Sequence, residues 1–273
     1  MNYRTVVAIL HLAAVLGRQR PTSLLYKSDM TNTPAATIQS ASGNAAIQIS
    51  AVERRQRWRE LCLVLVVAFG SFIMHSVYLL IYGPNAVPQP SSVQWAAGIV
   101  QEATALLVLG YVLSRRGLKF ASLGFRWSLR DVGVGLLVTV VSYVGYALGS
   151  TGIQIIHRLI YGSFAISPSA TMFFSHPSFL FIPFSLFNPF FEELIARAYL
   201  MSEVMELTGS RALAVTLSVA VQFSYHLYYG WFGAVSVSFF FLVLALYYAR
   251  SRRALPVIVA HTLNDVYALS RLW

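Results

Sequence analysis

The chain is poor in charge, poorer in acid and poorest in cysteine. Of its 273 residues 11% are charged and 57% hydrophobic, whereas a soluble domain is roughly a quarter charged. That excludes an ordinary water-soluble globule. The single cysteine, Cys62, excludes an intrachain disulfide and a cysteine-rich zinc site. Ten acidic residues face twenty Lys and Arg, a formal charge of +10. Several intramembrane and metal protease signatures are also missing: there is no H-E-x-x-H, no rhomboid-type G-x-S-G and no G-x-G-D. No internal repeat is visible, so an inverted-repeat transporter gains no support.

What is present is a series of long apolar runs. A helix needs about 20 mostly apolar residues to cross a hydrocarbon core of roughly 30 Å. Runs of that kind lie near 61–82, 95–114, 132–156, 174–200, 211–229, 231–249 and 254–272. The expectation is an all-α, polytopic transmembrane bundle of about seven spans, occupying residues 61–273. Residues 1–60 are expected to form an N-terminal tail. The apolar run within its segment 1–17 is too short to span comfortably, and 18–52 is rich in Ser, Thr, Ala, Asn and Gln, a composition that stays disordered. Met30 is a second candidate start beside Met1.

The basic residues sit on alternate loops. Arg54, Arg55, Arg57 and Arg59 precede the first run, Arg115, Arg116, Lys119, Arg126 and Arg130 follow the second, and Arg250, Arg252 and Arg253 follow the sixth. The loops 83–92 and 228–233 carry no charge. By the positive-inside rule this reads as a multi-pass cell-membrane protein with a cytoplasmic N-terminus. The same placement explains the basic excess through topology, so no nucleic-acid partner is implied. The segment "SRRGLKFASLGFRWSLRD" between the second and third runs interleaves basic and apolar residues, as an interfacial anchor to membrane lipid does.

The stretch "FNPFFEELIARAYL" carries Glu192, Glu193 and Arg197 inside an apolar run. An intramembrane charge costs roughly 2.5–3.5 kcal/mol on insertion scales and marks a protein interior or a wet cavity. At helical spacing Glu193 and Arg197 share a face and can pair, while Glu192 points about 100° away. Glu192 is therefore free to act as a general base on water. The competing reading is an ion-pair network that only fixes helix packing. "VQFSYHLYYG" adds His226 with Gln222 one turn earlier, and "VIVAHTLNDVYAL" adds His261 with Asp265 one turn later. His75, His157 and His176 read as satisfied hydrogen-bonding groups. If the spans converge, Glu192 and His226 can hold and deprotonate a water while His261 and its neighbour polarise a carbonyl oxygen, which suffices for peptide hydrolysis. Glu192, His226 and His261 are equally an ordinary donor set for zinc. The residues alone leave both mechanisms open.

The order "EELIAR" (EExxxR), a His in the next span and "HTLND" (HxxxN/D) resembles the CPBP family of CAAX proteases and bacteriocin-processing enzymes, also called ABI or CAAX prenyl protease 2-like. "RRGLKFASLGF" and "LYYARSRRALPVIVAHTLND" are similar to its connecting segments, so the resemblance covers about 117–270 and is strongest from 187 onward. It implies an intramembrane endopeptidase acting on a membrane-associated protein or peptide. It implies Glu192 as the water-activating base with His226, Glu193 and Arg197 as its support, and His261 with Asp265 as an oxyanion site. No cofactor is required in this version; a divalent metal such as zinc would use Glu192, His226 and His261. The chain departs from the family at Gln222, where Phe is usual, at Ala198, where Gly is usual, and at Asp265, where Asn is common. An ionised carboxylate cannot donate to an oxyanion. Asp265 is then protonated, or Asn264 takes its place, or Asp265 only orients His261. Rival readings are a non-catalytic scaffold of the same fold and, third, a transporter.

Overall fold

The computed structural model describes residues 50–87, 90–165 and 178–270. The expectations for 1–49, for His176 and for the first residues of the run at 174 lie outside those residues. The chain divides into two compact units at Arg54/Arg55, and the second of them, Arg55–Trp273, holds the helical bundle. Every regular element among the described residues is helical.

The helices are α1 (Ala51–Tyr82), α2 (Ser92–Arg115), α3 (Leu129–Tyr161), α4 (Phe181–Glu192), α5 (Leu200–Thr208), α6 (Arg211–Tyr225), α7 (Gly230–Ser251) and α8 (Ala254–Ser270), with a π-helical segment, Glu193–Tyr199, joining α4 to α5 without a break. The first turns of α1 fall within the stretch expected to be tail. The seven expected runs each hold a helix, and among the described residues four helices are by themselves long and apolar enough to cross a membrane: Ala51–Tyr82, Ser92–Arg115, Leu129–Tyr161 and Leu227–Ser251. The α4–α5 rod runs from Phe181 to Thr208 with a change of helical type in its middle, α6 has 15 residues, and α8 has 17 within the described residues.

Local sequence signals set the boundaries. Ser91 starts α2 with a capping box: the Gln94 backbone N donates to Ser91 Oγ (3.4 Å) and the Ser91 backbone N donates to Gln94 Oε1 (2.7 Å). Gly209, at φ 71°, ends α5 in the left-handed conformation, and Ser210 caps α6 by accepting from Leu213 N (3.1 Å). Pro189 removes one rung from the α4 ladder, and the helix widens into its π segment one turn later. Every residue from Phe191 to Met205 is buried, which puts this rod at the centre of the bundle. It packs against α2, α6 and α8, and α3 covers α7 and α8 from the other side.

The α3 interface uses small residues, as expected where no water drives association. Gly145 and Gly149 form a G-x-x-x-G pair, and a Cβ at each would lie 2.8 Å from Val243 and 2.1 Å from the Phe239 ring of α7. Gly149→Leu is therefore expected to separate α3 from α7 and to lower stability by about 1–3 kcal/mol. Denaturant titration in mixed micelles measures this, and an unchanged midpoint would show that the two helices can repack.

Two chemically different ends result. At one end Glu203 of α5 accepts from Arg57 Nε of α1 (2.9 Å) and from Arg116 Nη1 at the end of α2 (2.8 Å), and Arg57 Nη2 reaches Glu206 (2.6 Å). Arg116 also pairs with Glu60, and Arg253 with Asp131 at the start of α3 (2.6 Å). Gly124 permits the α2–α3 connection to touch the α7–α8 turn: a Cβ there would sit 1.9 Å from the Arg252 carbonyl, and Ala254 N donates to the Gly124 carbonyl (3.1 Å). At the other end, Tyr228 N donates to Ser76 Oγ (2.7 Å), tying the turn after α6 to the far end of α1.

Candidate active site

Glu192 is the last residue of α4 and Glu193 the first of the π segment, so the two carboxylates leave the rod in different directions where its geometry changes. Such π turns recur at functional sites because they re-aim side chains without breaking the helix. Glu192 lines a cavity of about 390 Å³. Glu193 lies behind it, fully enclosed.

Glu193 Oε2 stands 3.5 Å from Arg197 Nε, and Glu193 Oε1 accepts from His261 Nδ1 at 3.0 Å. Arg197 is likewise fully buried. Its Nη1 donates to Ser218 Oγ (2.8 Å), and its guanidinium lies over the Phe241 ring, 5.4 Å from the centroid. Ser218 Oγ in turn donates to the Ala196 carbonyl (2.5 Å). The arginine is thus held from α6 and α7 while it faces Glu193.

The position where the family usually has Phe, Gln222, carries a bridge. With its amide oriented to suit its neighbours, the oxygen accepts from Arg197 Nη2 (3.1 Å) and the nitrogen donates to Glu192 Oε2 (3.1 Å). Tyr225 Oη also donates to Glu192 Oε2, and the Tyr225 ring is fixed by stacking on Phe69 (centroids 5.0 Å, 4° between planes). No motif in the sequence singles out Tyr225. It sits one residue before His226 and one turn after Gln222, so helical spacing from Gln222 is the signal that would have found it.

His226 caps the C-terminus of α6. Its Nδ1 donates to the Gln222 carbonyl (2.8 Å), so that in the neutral ring Nε2 is the acceptor nitrogen. Phe241 packs beside it with ring centroids 5.0 Å apart. On α8, His261 Nε2 faces Asp265 Oδ1 at 3.7 Å, so both nitrogens of this ring point at carboxylates. Asn264 Nδ2 donates to Asp265 Oδ1 (3.1 Å), and Tyr143 Oη of α3 donates to Asn264 Oδ1 (3.0 Å). Glu192, His226, His261, Asn264 and Asp265 all line the one cavity, which Arg197 and Glu193 do not reach.

Two further polar groups stand at or beside the cavity. His75 lines the cavity. Glu102 of α2, fully enclosed, bonds across the bundle, accepting from Asn188 Nδ2 at 2.8 Å, and Asn188 also lines the cavity. His157 does satisfy itself locally, through Nδ1 and the Ser163 carbonyl (2.6 Å).

Glu192, His226 and His261 do not assemble as metal ligands. Both His261 nitrogens are directed at carboxylates, and Glu192 Oε2 is taken by Tyr225 and Gln222. Among the described residues no three His, Cys, Asp or Glu side chains group as a metal would need.

Comparison with protein families supports the likeness read from the motifs. Residues 174–267 match the family described as type II CAAX prenyl endopeptidase, Rce1-like. The match runs from the approach to α4 through most of α8 and leaves out 117–173, so it is narrower than the resemblance read from the motifs. No curated protein and no solved structure matches the chain. The Rce1-like segment contains Glu192, Glu193, Arg197, His226, His261 and Asp265, and helices α1 and α2 from outside it supply further walls of the cavity that Glu192, His226, His261 and Asp265 line.

Proposed function

We propose that the chain is an intramembrane endopeptidase that hydrolyses a peptide bond of a membrane-associated substrate, with Glu192 as general base. One observation carries the reading: Glu192, His226 and His261, from three separate helices, face a single cavity of about 390 Å³. That volume falls in the usual range for ligand sites, and its walls include the aromatic group Trp95, Phe181 and Phe184, with centroids 4.6 and 5.0 Å from the Trp95 ring. The Rce1-like match supports hydrolysis of a peptide over a scaffold role.

In this reading a water lies between Glu192 and the Nε2 lone pair of His226. Glu192 takes one of its protons as the water oxygen attacks the peptide carbonyl carbon. The oxyanion that forms accepts hydrogen bonds from His261 Nε2–H, whose contact to Asp265 is long, and from the amide of Asn264. As the tetrahedral species collapses, the C–N bond breaks and Glu192 passes its proton to the departing nitrogen. One water is consumed, and a carboxyl and an amine are released. Every step uses side chains of this chain and no metal.

Asp265 then has a positioning role. It accepts from Asn264 and faces His261, an arrangement suited to an acceptor and not to an oxyanion donor. Gln222 and Tyr225 hold the base, and Arg197 holds Glu193 so that Glu193 can orient His261.

The test is a comparison of protein termini in membranes carrying the native chain or His226→Ala, at matched abundance. New termini present only with the native chain are the expected result. Identical terminal profiles would return the chain to the scaffold reading.

A further inference from the structure

The charged end and the cavity end of the bundle are opposite ends. The ion pairs among Arg57, Glu60, Arg116, Glu203 and Glu206, the Arg253–Asp131 pair, and the hydrogen bond from Arg252 Nη1 to Ser202 Oγ (2.9 Å) bring the start of α1, the α2–α3 connection, the end of α5 and the α7–α8 turn together. These connections contain Arg55 and Arg59, Arg115 and Lys119, Arg126 and Arg130, and Arg250 as well. The rim of the cavity is built from the other ends of the same helices: Val87 and Pro90 after α1, Gln94 at the start of α2, Tyr228 after α6, and Ala268 and Leu269 at the end of α8. Those connections have almost no basic residues, with Arg158 near the end of α3 as the exception among the described residues.

Lys and Arg in short loops are retained on the cytoplasmic side, and the rule counts basic residues rather than net charge. We propose that the cavity opens toward the non-cytoplasmic face, so that its substrates are membrane-tethered peptides whose scissile bond is presented from that face and not cytoplasmic tails. The orientation stands on charge placement and on the ion pairs alone; the substrate class rests in addition on the peptidase reading above. The apolar walls beside Trp95 accept the membrane-near part of such a peptide, and the carboxylate and imidazoles lie deeper, where Glu192 is 6% exposed.

Thiol labelling tests the orientation without any activity. In a Cys62→Ala background, Asn85→Cys places a thiol on the exposed loop at the cavity end and Lys119→Cys places one at the basic end. Labelling in permeabilised membranes first establishes that each thiol reacts. In intact bacterial spheroplasts a membrane-impermeant maleimide is then expected to label Asn85→Cys and to leave Lys119→Cys unlabelled. Labelling of Lys119→Cys alone, or of both equally, overturns the orientation. The new termini from the profiling above are expected on the non-cytoplasmic side of their proteins' spans, and termini on the cytoplasmic side would overturn the substrate class. Labelling as expected with no new termini would overturn the peptidase reading and leave the orientation standing.

Discussion

Glu192→Gln is expected to reduce substrate processing by about 10²–10⁴-fold, the range for losing a general base, with little loss of folded protein. The substitution keeps the shape of the side chain and an oxygen that can still accept from Tyr225 Oη. What it removes is the capacity to take a proton from water. The surrounding aromatic packing, including Phe69 against both Phe191 (5.4 Å) and Tyr225 (5.0 Å), is untouched. The measurement is the single-turnover rate on a substrate found by terminal profiling, in proteoliposomes with matched amounts of inserted protein. A rate within tenfold of the native chain would remove Glu192 from the base position. Glu193→Gln is the informative companion, because Glu193 does not reach the cavity and acts through His261 (3.0 Å). A base and a positioning carboxylate should separate in this pair, with the second losing less.

The largest stability effect is expected at Arg197. It is fully buried and supplies the positive charge facing the equally buried Glu193. Arg197→Met fills much of the same volume but takes the arginine's charge from the enclosed Glu193, leaving it only the contact to His261 Nδ1. Removing one partner of a buried pair costs about 3–5 kcal/mol, whereas removing both can be neutral. The double change Glu193→Gln with Arg197→Met is accordingly expected to recover most of the stability lost by the single change. Denaturant titration in mixed micelles reads both. A single variant that loses less than about 1 kcal/mol, the scale of a solvated surface pair, would mean that water reaches Glu193. Recovery of stability in the double variant without recovery of processing would show that the pair serves geometry at the site as well as packing.

Some of the molecule was legible because it depends on short-range rules. Apolar runs placed the helices, since hydrocarbon burial is a property of composition over about 20 residues. The i, i+4 relation brought Glu193 within reach of Arg197 and His261 within reach of Asp265 along their own helices. What composition does not show is how a run is divided: the π segment inside the central rod and the end of α6 at His226 depend on how that rod is packed. Apolar composition does not distinguish a helix that faces lipid from one buried among other helices.

The sequence by itself determined that this is a helical membrane chain with acid and imidazole groups set into apolar segments, and it determined which loops are basic, because each of these follows from residue type and near-neighbour spacing. Only the tertiary structure decided which of those groups meet. It set Glu192 toward the cavity and Glu193 behind it, turned Gln222 and Tyr225 onto the base, pointed both His261 nitrogens at carboxylates, and put the cavity at the end away from the arginines. Those relations join residues dozens of positions apart through helix packing and one change of helical type, and no local pattern in the chain encodes them.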